Sequence, residues 1–322
     1  MKLHQLRYLV AVAADGSIRA AARSLGVTQA TVTQGLRELE AGCQVALLTR
    51  RSGGIALTAA GQELLEHAQR VVAQVRQAEE ALARHRDGAS QQRLAIGVTP
   101  WVAQTILARV LPPFRAELPH VQFELFDGLA GLAYPKLREG SLDLMIGRIA
   151  PPEALEGLQA TPLFSYDMTV VARNGHPLAA ARSIGELLDQ DWILNFTSGE
   201  RAALMDNLFG QHGFEAPRHR IHLAHSPSLT LTLVQQTDML SFCPWPLVET
   251  EGLRTGLVAL PLHERFHTHR VGIVRRANEA LSHAATRFLA HFMEQVEGCL
   301  ASDDARLRRV FRSVELVAAP SD

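Results

Sequence analysis

The sequence predicts an all-α winged helix-turn-helix, then one long helix, then an α/β domain built of two strand-and-helix cycles. Three observations carry that prediction. Residues 17–40, SIRAAARSLGVTQATVTQGLRELE, read as two short helices around a tight turn; residues 59–86 hold an apolar seam without proline; and from Leu94 onward short apolar runs alternate with helical periodicity. With 322 residues, 47% hydrophobic and 20% charged, the chain can bury ordinary cores in two or three domains, and no apolar run is long enough to span a bilayer.

Residues 2–14, KLHQLRYLVAVAA, form the first expected helix; the charged and polar residues that interrupt its apolar run argue against a secretory signal. Ser17 is placed to cap the next helix, whose inward stripe is Ile18, Ala21, Ala22 and Leu25. Gly26 fits a left-handed helix end, Val27 is expected to plug the corner, and Thr28 caps a third helix with Val32, Leu36 and Leu39 at helical spacing. Gln29, Thr31, Gln34 and Arg37 are left facing outward. In a major groove such a helix offers amide, hydroxyl and guanidinium groups to base edges and phosphates. The candidate DNA-reading residues are therefore Thr28, Gln29, Thr31, Val32, Thr33, Gln34 and Arg37. A helical hairpin whose polar face is merely solvated is the competing reading. Residues 47–58, LLTRRSGGIALT, look like a hairpin with Gly53 and Gly54 at its tip, so Arg50, Arg51, Ser52 and Gly53 are expected along phosphates or the minor groove. Residues 1–58 hold seven basic residues against three acids in a chain of net charge −1, so the basic surplus is local.

The first helix, the AAARSLGVTQATVTQGLRELE segment, the LLTR run of the wing and the LTAAGQELL start of the next helix resemble the LysR-type transcriptional regulators in order and spacing. The resemblance covers roughly residues 1–300 and is most specific up to Leu65. Thr33 stands where the family usually has serine, Gly42-Cys43-Gln44 replaces a more regular acidic and leucine-containing stretch, and Leu48 takes a usual phenylalanine position. These departures bear on base preference rather than on fold. The resemblance implies double-stranded DNA, a second copy of the chain (as a homodimer and further as a homotetramer), a small-molecule effector and RNA polymerase as partners. It implies no bound cofactor, and the expected location is the cytoplasm, on DNA.

Residues 59–86 make a helix of roughly 40 Å at about 1.5 Å per residue. Leu64, Ala68, Val71, Val75, Ala78 and Leu82 alternate four and three apart, the spacing that keeps one seam against a partner helix in a coiled coil. A dimer seam is the expectation; a long helix lying on its own domain is the alternative. Residues 87–92, DGASQQ, break the pattern as a hinge.

Beyond it the expected strands are 94–98, 121–126, 142–146, 169–172, 192–196, 220–224, 239–242 and 270–274, with helices 102–117, 132–139, 184–188, 201–213, 229–236 and 282–299 between or after them. This is α/β with a parallel core. Two lobes with crossovers near Thr161 and Phe266 match the LysR effector domain, itself similar to periplasmic binding proteins. The expected organisation is a DNA-binding domain 1–58, a linker 59–90 and an effector domain 91–302, with lobe I about 91–161 and 267–302 and lobe II about 162–266. The tail 303–322 stays unassigned, although Leu307, Val310, Phe311 and Val314 suggest an amphipathic helix.

Ligands of open parallel sheets sit at the carboxyl ends of strands, facing the next helix. That rule selects residues 99–104 after the first strand, with Thr99, Pro100 and Trp101 as candidates, Gly147 and Arg148 after the third, and in the second lobe residues 197–200, which include Thr197, Ser198 and Glu200, and residues 243–245, which begin with Cys243; Phe196 and Phe242 join the candidates beside them. By resemblance, Thr99 matches a position where the family places a hydroxyl toward the effector, whereas Gly128 lacks the hydroxyl some relatives that bind small dicarboxylates have. Arg148 could pair with an anion or form a salt bridge near the hinge; Trp101, Phe196 and Phe242 could flank an aromatic ring or pack lobe cores. The expected effector is small and anionic, with an aromatic body as an option.

An enzymatic reading finds little support among the 14 histidines. His219, His222 and His225 alternate along an expected strand and cannot share one metal shell, while His267 and His269 share a face without a third ligand. No nucleophile elbow, phosphate-binding glycine loop or zinc-protease helix is present. Cys43, Cys243 and Cys299 fit no ligand or redox spacing and are expected as buried free thiols. The expectation is a DNA-binding regulator, not an enzyme, that reads a two-fold symmetric operator under effector control. The alternatives are a regulator without an effector, or a small-molecule binding protein or enzyme whose N-terminal helices only oligomerise.

Overall fold

The computed structural model describes residues 1–51, 54–87, 92–196 and 200–317. The chain divides into two units, residues 1–90 with 138–141, and residues 91–137 with 142–322. In the first unit, α1 (Leu3–Asp15), α2 (Ile18–Ser24) and α3 (Gln29–Cys43) precede the antiparallel pair β1 (Leu48–Arg51) and β2 (Gly54–Leu57), and α4 (Ala59–Asp87) follows. The local signals act as read. Ser17 Oγ accepts from the Ala20 amide at 3.2 Å, Thr28 Oγ1 accepts from the Thr31 amide at 3.1 Å, and Gly26 has φ +67°. Gly35 lets α1 cross α3 closely, since a Cβ there would lie 2.6 Å from the Tyr8 ring. Glu40 holds the start of the wing by accepting from the amides of Leu47 and Leu48 at 2.8 and 3.0 Å. Two expectations are corrected: Val27 is exposed rather than plugging the corner, and Gly54 pairs with Arg51 inside the hairpin rather than at its tip. The tip expected at Ser52 and Gly53 lies outside the described residues.

The second unit begins with β3 (Gln92–Val98), then α5 (Pro100–Val102), a π-turn (Ala103–Leu107), α6 (Ala108–Glu117), β4 (Val121–Asp127), α7 (Ala130–Arg138) and β5 (Leu144–Arg148). β6 (Leu158–Tyr166) runs almost directly into β7 (Met168–Arg173), with only Asp167 between them. The second lobe adds β8 (Trp192–Leu194), α8 (Arg201–Leu208), β9 (Ile221–Leu223), α9 (Pro227–Gln236), β10 (Ser241–Pro244), α10 (Trp245–Val248), α11 (Glu251–Arg254) and β11 (Leu257–Ala259). β12 (His269–Arg276), α12 (His283–Leu300), α13 (Ala305–Phe311) and β13 (Val314–Leu316) return to the first lobe.

The larger sheet has the order β13-β6-β12-β5-β3-β4. The parallel core expected from the sequence is limited to β4, β3 and β5; β12 enters antiparallel between β5 and β6, because it returns from the second lobe without a crossover helix. The second lobe holds the antiparallel sheet β10-β7-β11 and the parallel pair β8-β9. The first crossover therefore falls at Asp167, not near Thr161, and residues 162–166 belong to the sheet of the first lobe. Pro162 is accommodated opposite a register shift between Val271 and Gly272, where a Cβ on Gly272 would lie 2.2 Å from the Thr161 carbonyl.

The tail has partners as well. Leu307, Val310, Phe311 and Val314 are buried in the core that joins both lobes, and β13 pairs antiparallel with β6, Val314 opposite Tyr166. No helix among the described residues is long and apolar enough to cross a membrane.

Candidate DNA interface and ligand cleft

On α3, Gln29, Thr31, Gln34 and Arg37 are exposed and share one face with Thr28. Val32 does not belong with them. It is fully buried with Leu36 and Leu39 in the core of the first unit, because it lies on the opposite side of the helix, so it cannot meet a base. Thr33 is half-buried, and its hydroxyl donates to the Gln29 carbonyl at 2.8 Å, leaving only its lone pairs to offer. The Gln34 amide donates to Glu38 at 3.0 Å and the Thr28 and Thr31 hydroxyls share a 2.8 Å hydrogen bond, so these groups are engaged within the chain. Arg50 and Arg51 lie on β1, which places their backbone on the wing.

The α4 seam divides in two. Ala68 is only 1% exposed and packs with Leu65 in the core of its own unit, with Leu64 and Val72 partly buried beside it. Ala68 is thus corrected out of the seam: its small side chain lets α1 pack against α4. Val71, Ala78 and Leu82 are exposed, Leu82 at 67%, with Val75 half-buried between them. Among the described side chains of α4, the exposed apolar stripe is this outer half.

In the second unit one cleft encloses about 980 Å³, open solvent at its mouth included. Thr99, Pro100, Trp101 and Arg148 line it from the first lobe, and Glu200 and Cys243 from the second, as the strand-end rule selects, with the candidate aromatics Phe196 and Phe242 beside them. Gly147 does not. A Cβ there would lie 3.1 Å from the Gly128 carbonyl and 2.3 Å from the Met145 methyl, so it sits beneath the floor and lets the strand ends approach. Gly128 lines the cleft for the same reason, with room for a Cβ denied by the Thr99 amide at 2.7 Å. Thr197 and Ser198 lie outside the described residues. Trp101 borders the cleft but is fully buried, packed edge-to-face on Phe164, Tyr166 and Phe311. Sequence reasoning missed Tyr166, Asn195, Ser241 and His269, all of them lining. Tyr166 and His269 stand on β6 and β12, whose pairing brings residues far apart in sequence opposite each other.

Arg148 forms an ion pair with Glu200 across the cleft, the two side chains 29% and 16% exposed. Its guanidinium is therefore engaged, and the salt-bridge alternative read from the sequence is the one observed. Burial pushes the Tyr166 hydroxyl and the Cys243 thiol up to about 12, so both are neutral at physiological pH. Burial, with the positive Arg148 nearby, lowers His269 to about 4. Its depression below 6.5 means that the folded chain holds fewer protons than the unfolded chain between pH 6.5 and 4. The resulting stability is full above about 6.5 and is lost as pH falls toward 4. His269→Gln should flatten that loss, seen as a smaller drop in Tm than wild type across the same pH series; parallel curves would show that His269 does not titrate this way. Of the thiols, Cys243 and Cys299 are buried but Cys43 is exposed, at the end of α3 rather than in a core. No group of three or more histidine, cysteine, aspartate or glutamate side chains among the described residues is placed to hold a metal.

The family description "LysR substrate binding domain" matches residues 87–297, and "Bacterial regulatory helix-turn-helix protein, lysR family" matches residues 3–62. The chain belongs to the LysR family. Among its relatives are YdcI of Escherichia coli K12, described as an uncharacterized HTH-type transcriptional regulator, 27% identical over 88% of this chain and 92% of that protein, and the SDS degradation transcriptional activation protein of a Pseudomonas species, 28% identical over 94% and 97%. The crystal structure of CbnR, a LysR family transcriptional regulator, has the same fold: TM-score 0.61, 20% identity, covering 92% of this chain and 99% of that one. This LysR protein is a DNA-binding transcriptional regulator with an effector-binding domain, and not an enzyme. Its second family match ends at residue 297, so α13 and β13 lie beyond it.

Proposed function

We propose that this LysR regulator binds a two-fold symmetric operator as a homodimer, further paired as a tetramer, and that a small molecule in the interlobe cleft controls it. The carrying observation is one chain that combines a winged helix-turn-helix with a cleft lined from both lobes by hydroxyl, amide and apolar groups. In this reading residues 1–58 bind DNA with Gln29, Thr31, Thr33, Gln34 and Arg37 toward the groove and Arg50 to Gly53 along the backbone; α4 pairs two copies; and residues 92–317 sense the ligand in the cytoplasm and act on RNA polymerase. A ligand touching both lobes favours one lobe spacing, and it regulates only if it binds that spacing better.

Thr99 tests the cleft. It precedes α5, but its side chain does not cap that helix, and its backbone amide is already held by the Ile146 carbonyl at 2.9 Å. Thr99→Val removes a hydroxyl with little change of shape and should abolish the ligand response in a reporter while leaving basal DNA binding intact. An unchanged response would remove the cleft from the mechanism.

A further inference from the structure

Resting on the cleft reading above, the charge pattern of its walls narrows the ligand. Arg148 ends β5 in one lobe, Glu200 directly precedes α8 in the other, and both line the cleft as an ion pair. No other charged side chain lines it among the described residues once His269 is taken as neutral. The remaining polar groups, among them Thr99, Tyr166, Asn195, Thr230, Ser241 and the Cys243 thiol, are uncharged, and the rest of the wall is largely apolar, including Met168, Leu194, Leu204, Leu231 and Leu247.

A simple anion entering this site must share one guanidinium with Glu200, so two carboxylates compete for it at close range. A simple amine meets the mirror problem at Glu200. A neutral ligand leaves the pair untouched and gains no charge-assisted hydrogen bond. We infer that the cleft takes a small zwitterion, a molecule with a carboxylate for Arg148 and an ammonium for Glu200 on neighbouring carbons, and an apolar side group against the Leu and Phe wall. Such a ligand exchanges one ion pair for two and leaves the net charge of the cleft at zero. It also replaces a direct lobe-to-lobe contact with one mediated by its own backbone, which gives it a different affinity for two lobe spacings. The α-amino acids are the simplest members of this class. The sequence leaves Arg148 open to an anion or to a salt bridge; its partner Glu200 lies far along the chain in the other lobe.

The test uses the full-length protein, thermal shift and calorimetry, with the twenty L-α-amino acids and, for every apolar one, its des-amino carboxylate and its decarboxylated amine. At least one amino acid should bind about tenfold or more tightly than both of its truncated counterparts. Glu200→Gln should weaken that amino acid and improve its des-amino carboxylate by about tenfold, because the guanidinium is released; a merely structural role for Glu200 would weaken both. Failure of all twenty to bind overturns the zwitterion, and so does a des-amino carboxylate that binds wild type as tightly as its parent. If such a carboxylate hit is lost in Thr99→Val, the zwitterion fails while the cleft reading stands. An amino acid whose binding is unchanged in both Thr99→Val and Glu200→Gln lies elsewhere, and overturns both.

Discussion

Gly61→Ala should destabilise the N-terminal unit. Gly61 is the third residue of α4, and a Cβ there would lie 2.0 Å from the Leu47 carbonyl oxygen. That oxygen cannot retreat cheaply, since it accepts from the Thr58 amide at 2.9 Å, and the Thr58 hydroxyl in turn donates to Ala46 at 2.7 Å and caps Gly61 at 3.0 Å. Two effects oppose each other. Alanine in a helix gains about 1 kcal/mol over glycine, whereas overpacking against an unyielding neighbour costs about 3 kcal/mol or more, so the clash wins. For a unit of this size the net loss of about 2 kcal/mol lowers Tm by roughly 10 °C, and operator binding should fall with it. Gly42→Ala on α3 supplies the control: nothing lies within 4 Å of its Cβ, so only the helix gain remains. Calorimetric melting of the two variants checks the sign of each, and a Gly61→Ala protein as stable as wild type would show that the junction of wing and linker helix gives way easily.

Val75→Glu should separate the two copies. Val75 sits midway along the outer stripe of α4, with Val71 43% exposed on one side and Leu82 67% exposed on the other, and a carboxylate there would have to be desolvated to keep the pairing. Losing one of two linked half-site contacts costs avidity of about 100-fold or more. Sedimentation at micromolar concentration should therefore show a monomer for the variant and a dimer or larger species for wild type, with operator affinity falling in parallel. Wild-type protein sedimenting as a monomer would remove the seam.

The parts of the fold that were legible in the sequence are those set by neighbours along the chain. Ser17, Gly26 and Thr28 act within three or four residues of themselves, so the helix-turn-helix could be drawn without tertiary information. The groove reading of α3 includes Val32 with its neighbours, whereas its spacing with Leu36 and Leu39 places it in the core. β6 went unread because Pro162 and the polar residues around it hide a strand whose bulge is accommodated by Gly272 on another element. The tail was recognised as amphipathic but had no partner until Phe311 could be seen against Trp101 and Phe164. In the cleft, strand-end logic found Thr99, Arg148 and Cys243. It could not find Glu200 as the partner of Arg148, or Tyr166 and His269, because those meetings depend on the pairing of β6 with β12 and on the approach of two lobes.

The most direct test of a regulator that reads DNA through α3 is binding-site selection from random duplexes, run in parallel for wild type and Gln29→Ala. Gln29 is exposed at the first turn of α3, where an amide can address a base edge. Wild type should enrich a two-fold symmetric site, and Gln29→Ala should lose roughly 1 to 3 kcal/mol on that site and relax the base preference at one position in each half. Identical selected sequences from the two proteins, or no enrichment by wild type at low salt, would contradict it.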